Sequence, residues 1–125
     1  MDRPFKRLPD AELAVMQAIW ECTPPVSRAD LEARLLPMHP MALTTLLTLL
    51  SRLTEKGFLT TEKIGRSNCY TPTLTQETYL SSQSRRFFTQ LCKGNVSTFA
   101  SALCDSGMSK EELEELRRLL KEGGL

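Results

Sequence analysis

Residues 43–57 read LTTLLTLLSRLTEKG, and the spacing of their leucines predicts an amphipathic helix. At about 100° per residue, Leu43, Leu46, Leu47, Leu49, Leu50 and Leu53 share one half of the helical wheel. Thr44, Thr45, Thr48, Ser51, Arg52, Glu55 and Lys56 share the other, and Thr54 alone falls among the leucines. An outer face that meets only water is usually furnished with Glu, Lys and Gln, which favour helix and keep the surface soluble. This one carries Thr and Ser, and each threonine costs about a few tenths of a kcal/mol in helix propensity. Short hydroxyl side chains let a helix approach another surface closely. In the major groove of DNA, Thr and Ser bond phosphates and base edges, Thr methyls meet thymine methyls, and a guanidinium such as that of Arg52 reaches guanine. The alternative is a solvated face of unusual composition, and the flanking segments bear on the choice.

Upstream, Pro9 and Asp10 open a first helix, with Asp10 expected as its N-cap and Leu13, Met16 and Trp20 at helical spacing, closed by Thr23-Pro24-Pro25. Ser27 caps a second helix, with Asp30 in an Asp-containing variant of the capping box and Val26 and Leu31 placed for a hydrophobic staple. That helix stops at Leu36-Pro37, and Met38-His39-Pro40 leads into the leucine-rich helix, which ends with Gly57 just past its C-cap. Two helices joined by a brief turn form a helix-turn-helix candidate, in which the later helix reads the groove.

Downstream, Phe58 to Lys63 is Thr-rich and extended, Gly65-Arg66-Ser67-Asn68 turns, and Cys69-Tyr70-Thr71 runs to Pro72, which is a β-hairpin signature. Ile64 and Tyr70 are expected to pack one face onto the helices, leaving Lys63 and Arg66 near the tip, where a cation reaches a phosphate. Three helices followed by a hairpin make a winged helix. The predicted fold is therefore mainly α with a small β-hairpin wing: a winged helix-turn-helix DNA-binding domain over residues 1–74, then a helical dimerisation region over 75–125. The residues expected on DNA are Thr44, Thr45, Thr48, Ser51, Arg52, Lys56, Lys63 and Arg66.

Beyond Thr75 the pattern changes to helices over Gln76 to Cys92, Asn95 to about Cys104 and Ser109 to Glu122, broken at Gly94 and Gly107. Ser109 with Glu112 spells a capping box, and Glu114 with Arg118 a helical ion pair. So small a tail buries too little surface by itself. Its apolar residues Tyr79, Phe87, Phe88, Leu91, Leu113, Leu116 and Leu120 are expected to pair with a second copy of the chain. A compact helical hairpin within one chain is the alternative.

A length of 125 residues allows one or two small domains, and a lone large catalytic domain is not expected. There is no run of about 18 apolar residues, and the opening Met-Asp-Arg-Pro-Phe-Lys-Arg is no apolar leader. A soluble, cytoplasmic protein without membrane insertion is expected. The formal net charge is only +1, with neither half basic overall, so bulk electrostatics does not announce a nucleic-acid binder. Cations nonetheless gather in an arm (Arg3, Lys6, Arg7), on the special helix and on the wing. The four cysteines, Cys22, Cys69, Cys92 and Cys104, form no CxxC or CxC pair. Buried reduced thiols are the first reading, with a disulfide or sensor thiol as the other. A single His39 without Cys partners builds no metal site, and no cofactor is spelled out. With no Gly-rich phosphate loop and no carboxylate pair at catalytic spacing, an enzyme is not expected.

Leu13-Ala14-Val15-Met16 and Ile19-Trp20, the run Thr44 to Leu53 with Glu55-Lys56-Gly57, Gly65-Arg66 with Tyr70 and Pro72, and the tail Ser109 to Leu116 are together specific. On these motifs the chain resembles the BlaI/MecI/CopY family of bacterial penicillinase repressors, over most of its length. The resemblance implies a dimeric repressor on a palindromic operator, without catalysis, in a family tied to antibiotic resistance. It implies release when the C-terminal region is cleaved or opened, with a membrane sensor metalloprotease as a possible partner. The penicillinase and methicillin repressors carry a basic residue where this chain has Thr44, an arginine where it has Leu47, and a cleaved Asn-Phe bond where it has Ser101-Ala102. Nor does the tail carry the CxC pairs of the copper-responsive branch. Two further classes stay open on the residues alone: a thiol-responsive winged-helix regulator using Cys69, Cys92 or Cys104, and a winged helix that docks protein.

Overall fold

The first helix, α1 (Asp10–Trp20), starts at the residue expected to cap it, one position early. Pro9 stands at the N-cap without a side-chain bond, and Asp10 lies inside the first turn, where its carboxylate meets the positive end of the helix. The computed structural model describes residues 5–123, so Arg3 of the expected basic arm lies outside the described residues. A two-residue strand, β1 (Val26–Ser27), follows. It is too short for any periodicity to betray it. Ser27 then caps α2 (Arg28–Leu35) by accepting a hydrogen bond from the Asp30 amide at 3.1 Å, and the staple pair Val26 and Leu31 is fully buried.

The leucine-rich segment forms α3 (Leu43–Glu55), with Lys56 at the C-cap. Gly57 follows at φ +84°, a left-handed conformation that favours glycine. The Gly57 amide donates to the Thr54 carbonyl at 3.1 Å and the Phe58 amide to the Leu53 carbonyl at 2.9 Å, the two bonds of a Schellman motif. This closure turns the chain directly into β2 (Leu59–Ile64), which pairs antiparallel with β3 (Ser67–Pro72). Since Ile64 faces Ser67, the turn is only Gly65-Arg66, with Gly65 at φ +64°. Ser67 and Asn68, expected in the turn, belong to the strand. β1 adds to the far side of β3, giving the order β1-β3-β2. Tyr70 is buried as expected, but Ile64 is 47% exposed, because it sits at the last rung beside the turn, out along the wing.

The chain divides into two compact units, Met1–Gln83 and Ser84–Leu125. The first extends past the expected boundary at residue 74 because the next helix, α4 (Gln76–Arg86), supplies it with a core residue. Tyr79 was expected at a dimer contact, and here the structure corrects the sequence. It is buried with its ring 5.8 Å from Trp20 and 5.9 Å from Phe58, and its hydroxyl accepts the Leu8 amide at 2.9 Å. An apolar stripe identifies a residue that must be covered, not what covers it. Tyr79→Phe is expected to cost about 1–2 kcal/mol by stranding the buried Leu8 amide, measured by urea denaturation, while leaving self-association in sedimentation unchanged.

In the second unit a π-helical turn (Phe87–Leu91) continues from α4, followed by α5 (Val96–Asp105) and α6 (Lys110–Glu122). Asn95 caps α5 through the Thr98 amide, and the Ser109/Glu112 capping box of α6 is complete, with bonds of 3.0 and 2.8 Å. Glu114 pairs with Arg117 at 3.3 Å, and Arg118 with Glu122 at 3.1 Å. The expected Glu114–Arg118 pair is thus replaced by two neighbours on the same helix, an exchange of little energetic weight on an exposed face. Phe87 and Phe88 lie 5.7 and 5.6 Å from Phe99. Leu113 and Leu116 are half-buried, and Leu91 and Leu120 are exposed. Among the described residues of this unit only Cys92 is buried. No helix among the described residues is long and apolar enough to cross a membrane.

Candidate nucleic-acid interface

The core of the first unit covers only one arc of α3. Leu46, Leu49, Leu50 and Leu53 are buried; Thr44, Thr45, Thr48, Ser51 and Arg52 are exposed. The hydroxyl side of the wheel therefore faces outward. The apolar side is narrower than the sequence suggested, since Leu43 is 42% and Leu47 39% exposed. A helix packed on one side buries a stripe roughly 100° wide. The four buried leucines fill that width, leaving Leu43 and Leu47 on its flank. Two neighbouring rows at four-residue spacing lie on the open surface, Leu43, Leu47 and Ser51, then Thr44, Thr48 and Arg52, with Thr45 beyond them.

The hydroxyls on this helix are not equivalent. Thr48 Oγ1 donates to the Thr44 carbonyl at 3.0 Å, so Thr48 retains a methyl group and oxygen lone pairs for any partner. Thr54, the threonine on the wrong side of the wheel, donates to the Leu50 carbonyl at 2.8 Å and lies 3.2 Å from Thr61 Oγ1. Its place is explained: it joins α3 to the base of the wing.

The cations separate in the same way. Arg52 on α3, Lys63 on β2 and Arg66 in the turn are exposed and have no ion-pair partner among the described residues. Arg28 is held by Glu32 at 3.1 Å and Arg34 by Glu21 at 3.2 Å. Lys56, expected on DNA, has its ammonium 2.6 Å from Glu12 Oε1, and Glu12 is the single buried charged residue among the described residues. Nothing in the sequence marked that pairing beyond an acid between Ala11 and Leu13. What remains is a helix whose exposed face offers hydroxyls, methyls and Arg52, and a wing that carries the unpaired Lys63 and Arg66 at and next to its turn, a combination suited to a polyanion with a groove.

All four cysteines are free thiols; Cys69 and Cys92 are buried, Cys22 half-buried and Cys104 exposed, against the expectation of burial throughout. Burial pushes the Cys22 thiol above its ordinary range against the opposing pull of Arg34. A thiol so held carries little thiolate and reacts slowly.

The profile of the penicillinase repressor family matches residues 8–122. The penicillinase repressor of Bacillus licheniformis is 31% identical over 122 residues, covering 94% of each chain. An uncharacterized 16.5 kDa protein of Latilactobacillus sakei is 34% identical over 113 residues, 88% of this chain and 75% of that one. Among solved structures, the solution structure of the DNA-binding domain of the repressor BlaI matches with a TM-score of 0.53 at 32% identity, over 63% of this chain and 94% of that domain. Because the match runs from just before α1 to the last residue of α6, through both compact units, the chain belongs to the penicillinase repressor family.

Proposed function

We propose that the protein is a transcriptional repressor that binds a palindromic DNA operator as a homodimer and blocks the promoter it covers. Each subunit lays α3 in a major groove, with Thr44, Thr45, Thr48 and Ser51 near bases or phosphates, Arg52 as an anchor, and Lys63 and Arg66 of the wing on the flanking backbone. A two-fold dimer repeats this on one side of the duplex, at a spacing near a multiple of about ten base pairs. The observation that carries the reading is the outward hydroxyl face of α3, which holds Arg52, in a unit whose wing exposes Lys63 and Arg66, all three cations without an ion-pair partner among the described residues. The related repressors named above support it.

Self-association through the tail is supported by how little that unit buries: Leu91 and Leu120 are exposed, and Leu113 and Leu116 only half covered. Such apolar surface favours a second copy. Dimer formation and operator occupancy are then linked by mass action, so opening or cutting the tail releases the DNA. Ser101 and Ala102 stand in mid-helix within α5. A protease, a membrane-bound sensor among the candidates, cuts there only after local unwinding, at a rate set by that opening.

The test is binding of the purified full-length protein to genomic fragments at several salt concentrations. A steep linear fall of log affinity with log salt is expected, since neutralised phosphates release counterions. Arg52→Ala should weaken specific binding about tenfold while leaving the dimer intact. Affinity that ignores salt, or an Arg52→Ala variant as tight as the parent, would count against the assignment.

A further inference from the structure

We infer that α3 selects its site by methyl groups: the bases under Leu47 and the Thr44–Thr48 row are thymines, read through their C5-methyls, rather than guanines or adenines read through hydrogen-bonding forks. The inference rests on the DNA-binding reading above. It begins from what the first two turns of the helix lack. Residues 43–50, LTTLLTLL, contain no guanidinium, ammonium, amide or carboxylate. In helix-turn-helix proteins the N-terminal residues of the recognition helix lie closest to base edges, and bidentate readout of guanine requires Arg or Lys and that of adenine Asn or Gln. None is present. Arg52, the first cation of α3, comes in the third turn, and the next, Lys56, is engaged by Glu12.

What the two turns do present is methyl surface. Leu43 and Leu47 are both more than a third exposed on the flank of the hydroxyl face. Thr48 has committed its hydroxyl proton to the Thr44 carbonyl, so it offers its methyl and an acceptor. A base pair shows one apolar group in the major groove, the thymine methyl. A leucine pressed against any other edge strips water from donors and acceptors without replacing the lost bonds, which is penalised. The surface therefore favours thymine wherever Leu47 and the threonine methyls touch down, leaving Ser51 and Arg52 to bond polar edges or phosphates further along.

The experiment uses the full-length protein and a duplex it retains from genomic fragments, resynthesised with each thymine in turn replaced by deoxyuridine, which lacks only the methyl. At particular thymines in each half-site a loss of about fourfold is expected, the worth of burying one methyl-sized group. Leu47→Ala should bind the thymine and uracil duplexes alike at the position it reads. Because that residue is 39% exposed, on the flank of the packed face, the variant keeps its fold, checked by a cooperative unfolding transition of unchanged slope. Replacing cytosines by 5-methylcytosine at the read positions of weaker sites should recover part of the loss. Uniform tolerance of uracil in a duplex that is bound specifically would overturn the inference and leave the repressor reading standing. Retention of no duplex above background would remove both, leaving Leu43 and Leu47 as a surface for a protein.

Discussion

Phe58→Ala is expected to remove about 3–5 kcal/mol from the stability of the first compact unit, the usual range for deleting a fully buried phenyl ring. Phe58 is 1% exposed, its ring lies 5.1 Å from Phe5 and 5.9 Å from Tyr79, and its carbonyl accepts the Thr73 amide at 2.9 Å. It follows Gly57 at the junction of α3 and the wing, so one residue anchors both to the core. Set against a total stability of about 5–15 kcal/mol for a domain, the loss approaches unfolding. Urea denaturation followed by the fluorescence of Trp20, the one tryptophan and a member of the same aromatic group, should show a much lower midpoint with an unchanged slope. Phe58→Leu, which keeps most of the volume, should lose about 1.5 kcal/mol or less. Two equal, small effects would mean that the junction is not held by this ring.

The elements of the first unit were legible because their signals are local. Ser27 with Asp30 and Val26 with Leu31 name a helix start, Gly57 a helix stop, and Gly65 a turn, each through chemistry acting within a few residues. Features set by distant partners were not legible. β1 exists only because β3 lies beside it, and Tyr79 looked like a member of an uncovered stripe until Leu8 and Trp20, far off in sequence, covered it. The interface shows the same division. A helical wheel identifies which residues oppose the leucines, so the exposure of Thr44, Thr45, Thr48, Ser51 and Arg52 followed from spacing. It does not say how wide the buried arc is. That width depends on the neighbouring elements, and it placed Leu43 and Leu47 outside.

Lys56 is where the two readings make opposing forecasts. As a phosphate contact it would contribute to salt-dependent affinity and little to folding. As the partner of a carboxylate that is 3% exposed, it ties the end of α3 to α1, and its cation also sits favourably at the helix C-terminus. Lys56→Met should then strand Glu12 in the core and cost about 2–3 kcal/mol, below the full penalty of a buried orphan charge because the lysine side chain is itself one-third exposed. Replacing both partners, Glu12→Leu with Lys56→Met, should restore most of that stability, since two apolar groups leave no charge to desolvate. The double variant then isolates the other role. If Lys56 serves only to position the recognition helix, the double variant binds operator fragments with the parental salt slope. If it also meets a phosphate, the slope falls by about one even though the fold is restored. A single variant as stable as the parent would remove the ion pair from the account of how α3 is held, and would return Lys56 to the outer face on which its place in the helical wheel first put it.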